Sequence, residues 1–484
     1  MIRRFCLLAI AFSLPLHAAD KKPSKSKAKG EDKKASALPY EVAEFVENDF
    51  PFFSTTLDAR ELGEGFPKDN VTPRGLVLNL GHNLWACFDV DLLRMSCIWQ
   101  GEPGKAPITL VALAPRSYKD PGQKTKDGQD DLPKPVGKVW LVNGIYPGWQ
   151  VGTEATLADP REPGPSKNEV GRGALPDAGL KAVRLTEGGV RLEYQVGGTL
   201  VKESIAAVVD AGHLSIARTL KVAPTPKPLI FIAGEITQGE RIRSKLPVPE
   251  QGTSESKLNI TKLEASDKEQ VVEMGFDLGA VNDKSGAPSG RPAHWPQTLS
   301  TKGVLSHEAD AYVLDDIALP TTNPWKRNVR LADIAFLDDQ GHAAAVTMDG
   351  DVWTISGLNG NLENVQWKRF TSGFHEPMSI VARKEKGGLP SLFVYDRNGI
   401  WKIVDTTGSG EADVHEMFCD LFSQTGETRE FPNSMKLGPD GSLYISKGGQ
   451  QGTTLGKDNG KVLRIAPDGK SYQTVAWGLR QPFI

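Results

Sequence analysis

Cysteine is scarce in this chain: four residues in 484, one of them, Cys6, inside the leader. There is no C-x-x-C-H, so no c-type haem attaches here. Gly-x-Ser-x-Gly, a glycine-rich nucleotide loop and a zinc signature are also missing, which removes the common hydrolase, nucleotide and zinc chemistries. The net charge is -3, so no basic excess favours nucleic acid. Past the leader no apolar run approaches the roughly 20 residues that a membrane helix needs. Long segments with helical periodicity are absent except near the start.

Fifty Gly, 33 Pro and 10 Trp suit a turn-rich, all-β protein. Residues 1–19 read as a signal peptide: Arg3 and Arg4, an apolar run from Phe5 to Leu16, then small residues at Ala18 and Ala19. Cys6 lies too early for a lipoprotein anchor. The expected location is secreted or periplasmic, with no membrane span after cleavage. Residues 20–39 are Lys-rich and lack large apolar side chains, so they read as a disordered linker.

Residues 40–320 carry β-branched and apolar runs separated by Gly, Pro and Asp clusters, among them GLVLNL from Gly75, LWACFDV from Leu84 and VRLEYQV from Val190. An antiparallel β-sandwich-like domain is the expected fold. Tyr118 to Val136 and Asp159 to Leu175 read as long surface loops. Cys87 and Cys97 lie symmetrically about Leu92, facing each other if that stretch is a hairpin; a disulfide and a pair of buried free thiols are both open.

From Val329 the texture changes to short strands joined by Asp-Gly turns, a unit returning about every 45 residues, which is a propeller period. Residues 326–484 hold about three such units, whereas propellers close with about four to eight blades. The expectation is an incomplete β-propeller and a chain that is a fragment of a longer protein.

Several residues there suit chemistry. His375, in Gly-Phe-His-Glu-Pro, is a candidate base. Lys447, Gly448 and Gly449 lie in a loop where glycine admits a flat or anionic ligand, and Gln450 and Gln451 follow. Asp405, Thr407, Ser409, Asp413 and Glu416 match positions 1, 3, 5, 9 and 12 of a calcium-type loop, with Gly410 at position 6; a metal-free turn explains them as well. Asp349 and Asp351 flank Gly350 as a hairpin turn would, ahead of any paired-carboxylate hydrolysis. Trp353, Trp367, Trp401 and Trp477 suit blade packing, and Trp85, Trp99, Trp140, Trp149 and Tyr146 suit a core more than a sugar platform.

With HEPMSI from His375, DTTGSGEAD from Asp405, LGPDGSLYISKGG from Leu437 and WGLRQP from Trp477, the last third resembles the glucose/sorbosone dehydrogenase family. Those are secreted propellers that use pyrroloquinoline quinone (PQQ). The stretch NLGHNLWACFDVDLLRMSCIWQGE resembles the uncharacterised β-rich domain that precedes such propellers in large secreted proteins of environmental bacteria. The resemblance implies His375 as general base, Arg480 facing quinone or substrate oxygens, and Gln481 as a quinone contact; the loop of Lys447, Gly448 and Gly449, whose cation suits a quinone carboxylate, completes the expected cofactor-binding set. The family usually has Asn where Gln481 stands. It further implies oxidation of a sugar or sugar-derived alcohol and an electron-acceptor domain or cytochrome as partner; Ca2+ is expected only from the spacing of the Asp405–Glu416 loop, as a structural brace. The rival expectation is a non-catalytic propeller or scaffold that holds carbohydrate or a protein at the cell surface.

Overall fold

A computed structural model describes residues 50–60, 70–103, 105, 107–109, 132–161, 175–237, 241–242, 258–280, 286, 294–384, 390–424, 426, 430–449 and 457–484. The leader, the Lys-rich linker, most of both expected long loops, and Gln450 and Gln451 lie outside them. Among the described residues every regular element is a β-strand, and all strand pairs are antiparallel.

The N-terminal half is two sheets on one core. The first runs from Phe52–Asp58 through Val71–Gly81, Leu84–Asp89, Arg94–Gly101 and Gly137–Val142 to Leu229–Ile236 and Leu258–Leu263. The second contains Ala178–Thr186, Gly189–Val196, Thr199–Asp210, His213–Val222 and Gln270–Ala280. Their inward side chains, such as Leu76, Leu78 and Phe231 from one and Leu192, Ile205 and Ile216 from the other, form one buried cluster. This is the expected sandwich. Period-2 alternation produces it: Thr199–Asp210 alternates buried and exposed residues over its first half. Cys87 and Cys97 face each other across the hairpin, and both are free, buried thiols.

One buried chain of polar groups ties the two sheets together. Trp149 Nε1 donates to the Tyr194 hydroxyl at 2.8 Å, which donates to Glu203 at 2.7 Å, and Arg218 clamps Glu203 at 2.6 Å. Burial, and then the Glu203 charge, push the Tyr194 phenol well up, so it stays a donor.

The C-terminal part holds three four-stranded meanders. Unit I is Leu331–Phe336, Ala343–Thr347, Val352–Ser356 and Val365–Thr371. Unit II is Ser379–Arg383, Ser391–Asp396, Gly399–Val404 and Val414–Cys419. Unit III is Pro432–Leu437, Leu443–Lys447, Val462–Ile465 and Tyr472–Ala476. The first strands of the three units lie side by side, as inner strands of successive propeller blades do. Leu299–Thr301 pairs with the last strand of unit I, so blade pairing starts upstream of residue 326.

Two features were not expected. The last strand of unit II pairs with Ala178–Thr186 of the sandwich (Val414 with Arg184, Glu416 with Ala182), making one ten-stranded sheet across both halves. Trp353, Trp367 and Trp401 are buried in the blades as expected, but Trp477 is 73% exposed, because it lies beyond the last strand with nothing of the described chain over it.

Candidate functional site

Meander connectivity decides which motifs meet. In each unit the link into the first strand and the turn between strands two and three share one end; the turns between strands one and two and between three and four share the other. His375, the Asp396–Asn398 turn, Gln424, Glu430, Lys447 to Gly449 and Arg480 thus fall on one end, as do Asp349 and Asp351. Asp405 to Asp413 falls on the opposite end. The structure therefore brings the quinone-type candidates together and separates the calcium-type loop from them.

The shared end is densely charged and closed. His375 is 5% exposed; its backbone N–H donates to Asp396 at 3.0 Å. Asp396 also accepts from Asn398 N, Gly399 N and Trp401 Nε1, while burial pushes its carboxyl up to about 6. Glu376, in a left-handed backbone conformation, receives Arg397 Nε at 2.5 Å, and Arg397 lies over the Phe431 ring. Lys447 is fully buried, 3.1 Å from Glu430 and 3.0 Å from Gln424 Oε1. Burial pulls its ammonium below the ordinary value, with Glu430 opposing.

The sandwich docks on this end. Arg74, fully buried, pairs with Asp91 at 3.0 Å and donates to the carbonyls of Asp420 and Phe422. Two cations lie near the Phe422 ring, Arg74 at 5.6 Å and Lys447 at 5.1 Å from its centroid. Ser54 N donates to Gly373 O at 2.7 Å, two residues before His375. The expected Asp349–Asp351 pair forms its hairpin turn, and Asp351 accepts from Arg327, Arg369 and Ser372.

The quinone-contact set is engaged inside the fold. Gly448 N donates to Phe431 O at 2.8 Å and Gly449 N to Arg480 O at 2.7 Å. Arg480 and Gln481 are exposed. Lys447, buried and held by Glu430, does not fit a quinone carboxylate as arranged. On the opposite end, Asp405 accepts from the backbone N–H groups of Thr407, Gly408, Ser409 and Gly410, and Asp413 accepts from Thr406. Burial acts upward on Asp405, but these bonds prevail and hold it below its ordinary range. Glu416 faces Lys402 across a strand pair. Among the described residues no three His, Cys, Asp or Glu side chains gather as a metal site.

Sequence reasoning found His375 and Lys447 but missed their surroundings: Arg74, Glu376, Arg397, Gln424 and Glu430. One signal was present, the opposite charges of Asp396 and Arg397 inside a turn between apolar strands. Clefts open among the described residues. One, about 720 Å3, runs along unit I beside Asp338, His342 and Lys368. Another, about 790 Å3, opens between the sandwich and unit II.

Two family models match the chain. Both describe domains of unknown function: DUF6797 over residues 86–203 and DUF7133 over residues 346–481. The first lies in the sandwich and the second in the three units, and each contributes strands to the shared sheet. No curated protein matches.

Proposed function

We propose that this part of the chain is a non-catalytic binding module of a secreted or periplasmic protein, holding carbohydrate or a protein partner, in which propeller-like blades are welded to a sandwich. The observation that carries the reading is the state of Lys447. The cation expected to pair with a quinone carboxylate is fully buried and paired with Glu430. A buried pair of this kind does not open for a ligand without a large loss, about 3–5 kcal/mol when one partner is removed.

A second reading has its own support. His375, the candidate base, lies on the same end of the units as the candidate quinone contacts Lys447 and Arg480. Under that reading the protein oxidises a sugar or sugar-derived alcohol and passes electrons to an acceptor domain or cytochrome. Incubation of the protein with PQQ and Ca2+, followed by dye reduction with a panel of aldoses, separates the two. The binding reading predicts no quinone-dependent reduction. Reduction that disappears in His375→Ala would replace it with the dehydrogenase reading.

A further inference from the structure

The ladder that joins the sandwich to unit II stops at Ala182 and Glu416. Just beyond, each strand carries an extra residue: Lys181 between Leu180 and Ala182, and Phe418 between Met417 and Cys419. Bulges bend a strand and re-aim its side chains, and they recur beside binding sites. Here the two strands part, and the cleft of about 790 Å3 opens between them. That volume lies within the roughly 300–1,000 Å3 of small-ligand sites.

Its lining is mixed. Lys181, Lys227 and Lys470 are exposed on it, against Asp177 and the buried Asp420. Phe418, half-buried, adds apolar surface. Asp420 is 6% exposed, and its Oδ2 accepts no hydrogen bond among the described residues. Buried acceptors are normally satisfied; this one is not, and the carboxylate that carries it borders the cleft. Gly469 closes one side: a Cβ there would meet the Phe418 carbonyl at 2.2 Å, so the unit III turn approaches as only glycine allows.

We propose that this cleft binds an anionic saccharide, a uronate or a sulfate ester, with its charge on Lys181, Lys227 and Lys470 and its hydroxyl groups donating to Asp420. Cations outnumber carboxylates on the wall, hydroxyl donors suit the Asp420 carboxylate that borders it, and the apolar surface suits a sugar face. The proposal rests on the binding reading above and gives it a site and a ligand class.

Calorimetry on the whole protein tests it, with oligogalacturonate, a sulfated oligosaccharide and neutral cello-oligosaccharide as probes. One or both anionic oligomers are expected to bind, more weakly as salt rises. In Lys181→Glu/Lys470→Glu, two exposed positions whose fold is checked by circular dichroism, affinity is expected to fall at least tenfold. Equal binding of the neutral oligomer overturns the ligand class. Undiminished affinity in the double variant overturns the site and leaves the binding reading standing. No binding by any probe overturns the proposal. Quinone-dependent dye reduction by the same preparation overturns the binding reading itself.

Discussion

Lys447 shows how a residue's partners decide its role. In a Gly-rich loop it reads as a free cation; in the fold it is held between Glu430 and Gln424. Lys447→Met leaves Glu430 buried without its cation and is expected to cost about 3–5 kcal/mol in urea unfolding. Lys447→Met/Glu430→Leu should regain most of it, and a single-variant loss below about 1 kcal/mol would mean that the pair does not form in solution. His415 offers a pH test. Burial pulls its imidazole down to about 3, and Nε2 meets the Thr371 hydroxyl at 2.7 Å. Only the unfolded chain then takes a proton between pH about 6.5 and 3, so stability falls as pH falls through that window, by up to about 1.4 kcal/mol per pH unit. Asp91 and Asp396, pushed up to about 6 by burial, act in the opposite sense, so the informative quantity is a difference. Between pH 6.5 and 5 the wild type should lose more stability than His415→Gln; equal slopes would contradict the assignment. The positions of Lys447 and His375 were legible in the sequence. Their partners were not, because Glu430 and Gln424 reach Lys447, and Asp396 reaches His375, only through tertiary closure.

Elements were the most legible scale. Strands such as Gly189–Val196 follow from alternation, and the Asp-Gly turns follow from the positive φ that glycine accepts, as at Gly350 and Gly441. Gly469 adds a steric requirement to its φ of 73°, since a side chain would strike Phe418 O. Gly469→Ala is therefore expected to destabilise by more than about 1 kcal/mol, read as a lower urea midpoint at unchanged slope. A neutral result would show that the unit III turn does not press on unit II. The shared sheet was not legible. Main-chain pairing between Val414–Cys419 and Ala178–Thr186 joins residues more than 200 positions apart and carries no side-chain code. The calcium-type loop marks the opposite limit: its spacing matches a ligand pattern, yet Asp405 uses both oxygens to cap its own turn.

At the scale of the molecule, sandwich and blades share a buried cluster that runs from Leu76 and Ile216 to Val346 and Trp401. His375 and Lys447 are buried at the end of the units where Ser54 and Arg74 of the sandwich bond, while the cleft beside the shared sheet keeps its lysines exposed. That contrast is the core of the account, and lysine reactivity measures it. Brief labelling of the native protein with an amine-reactive reagent, read by peptide mass spectrometry, should modify Lys181, Lys227 and Lys470 rapidly and leave Lys447 unmodified until the protein unfolds. Labelling of Lys447 at the rate of the cleft lysines would show that the charged end is open, and would contradict the account.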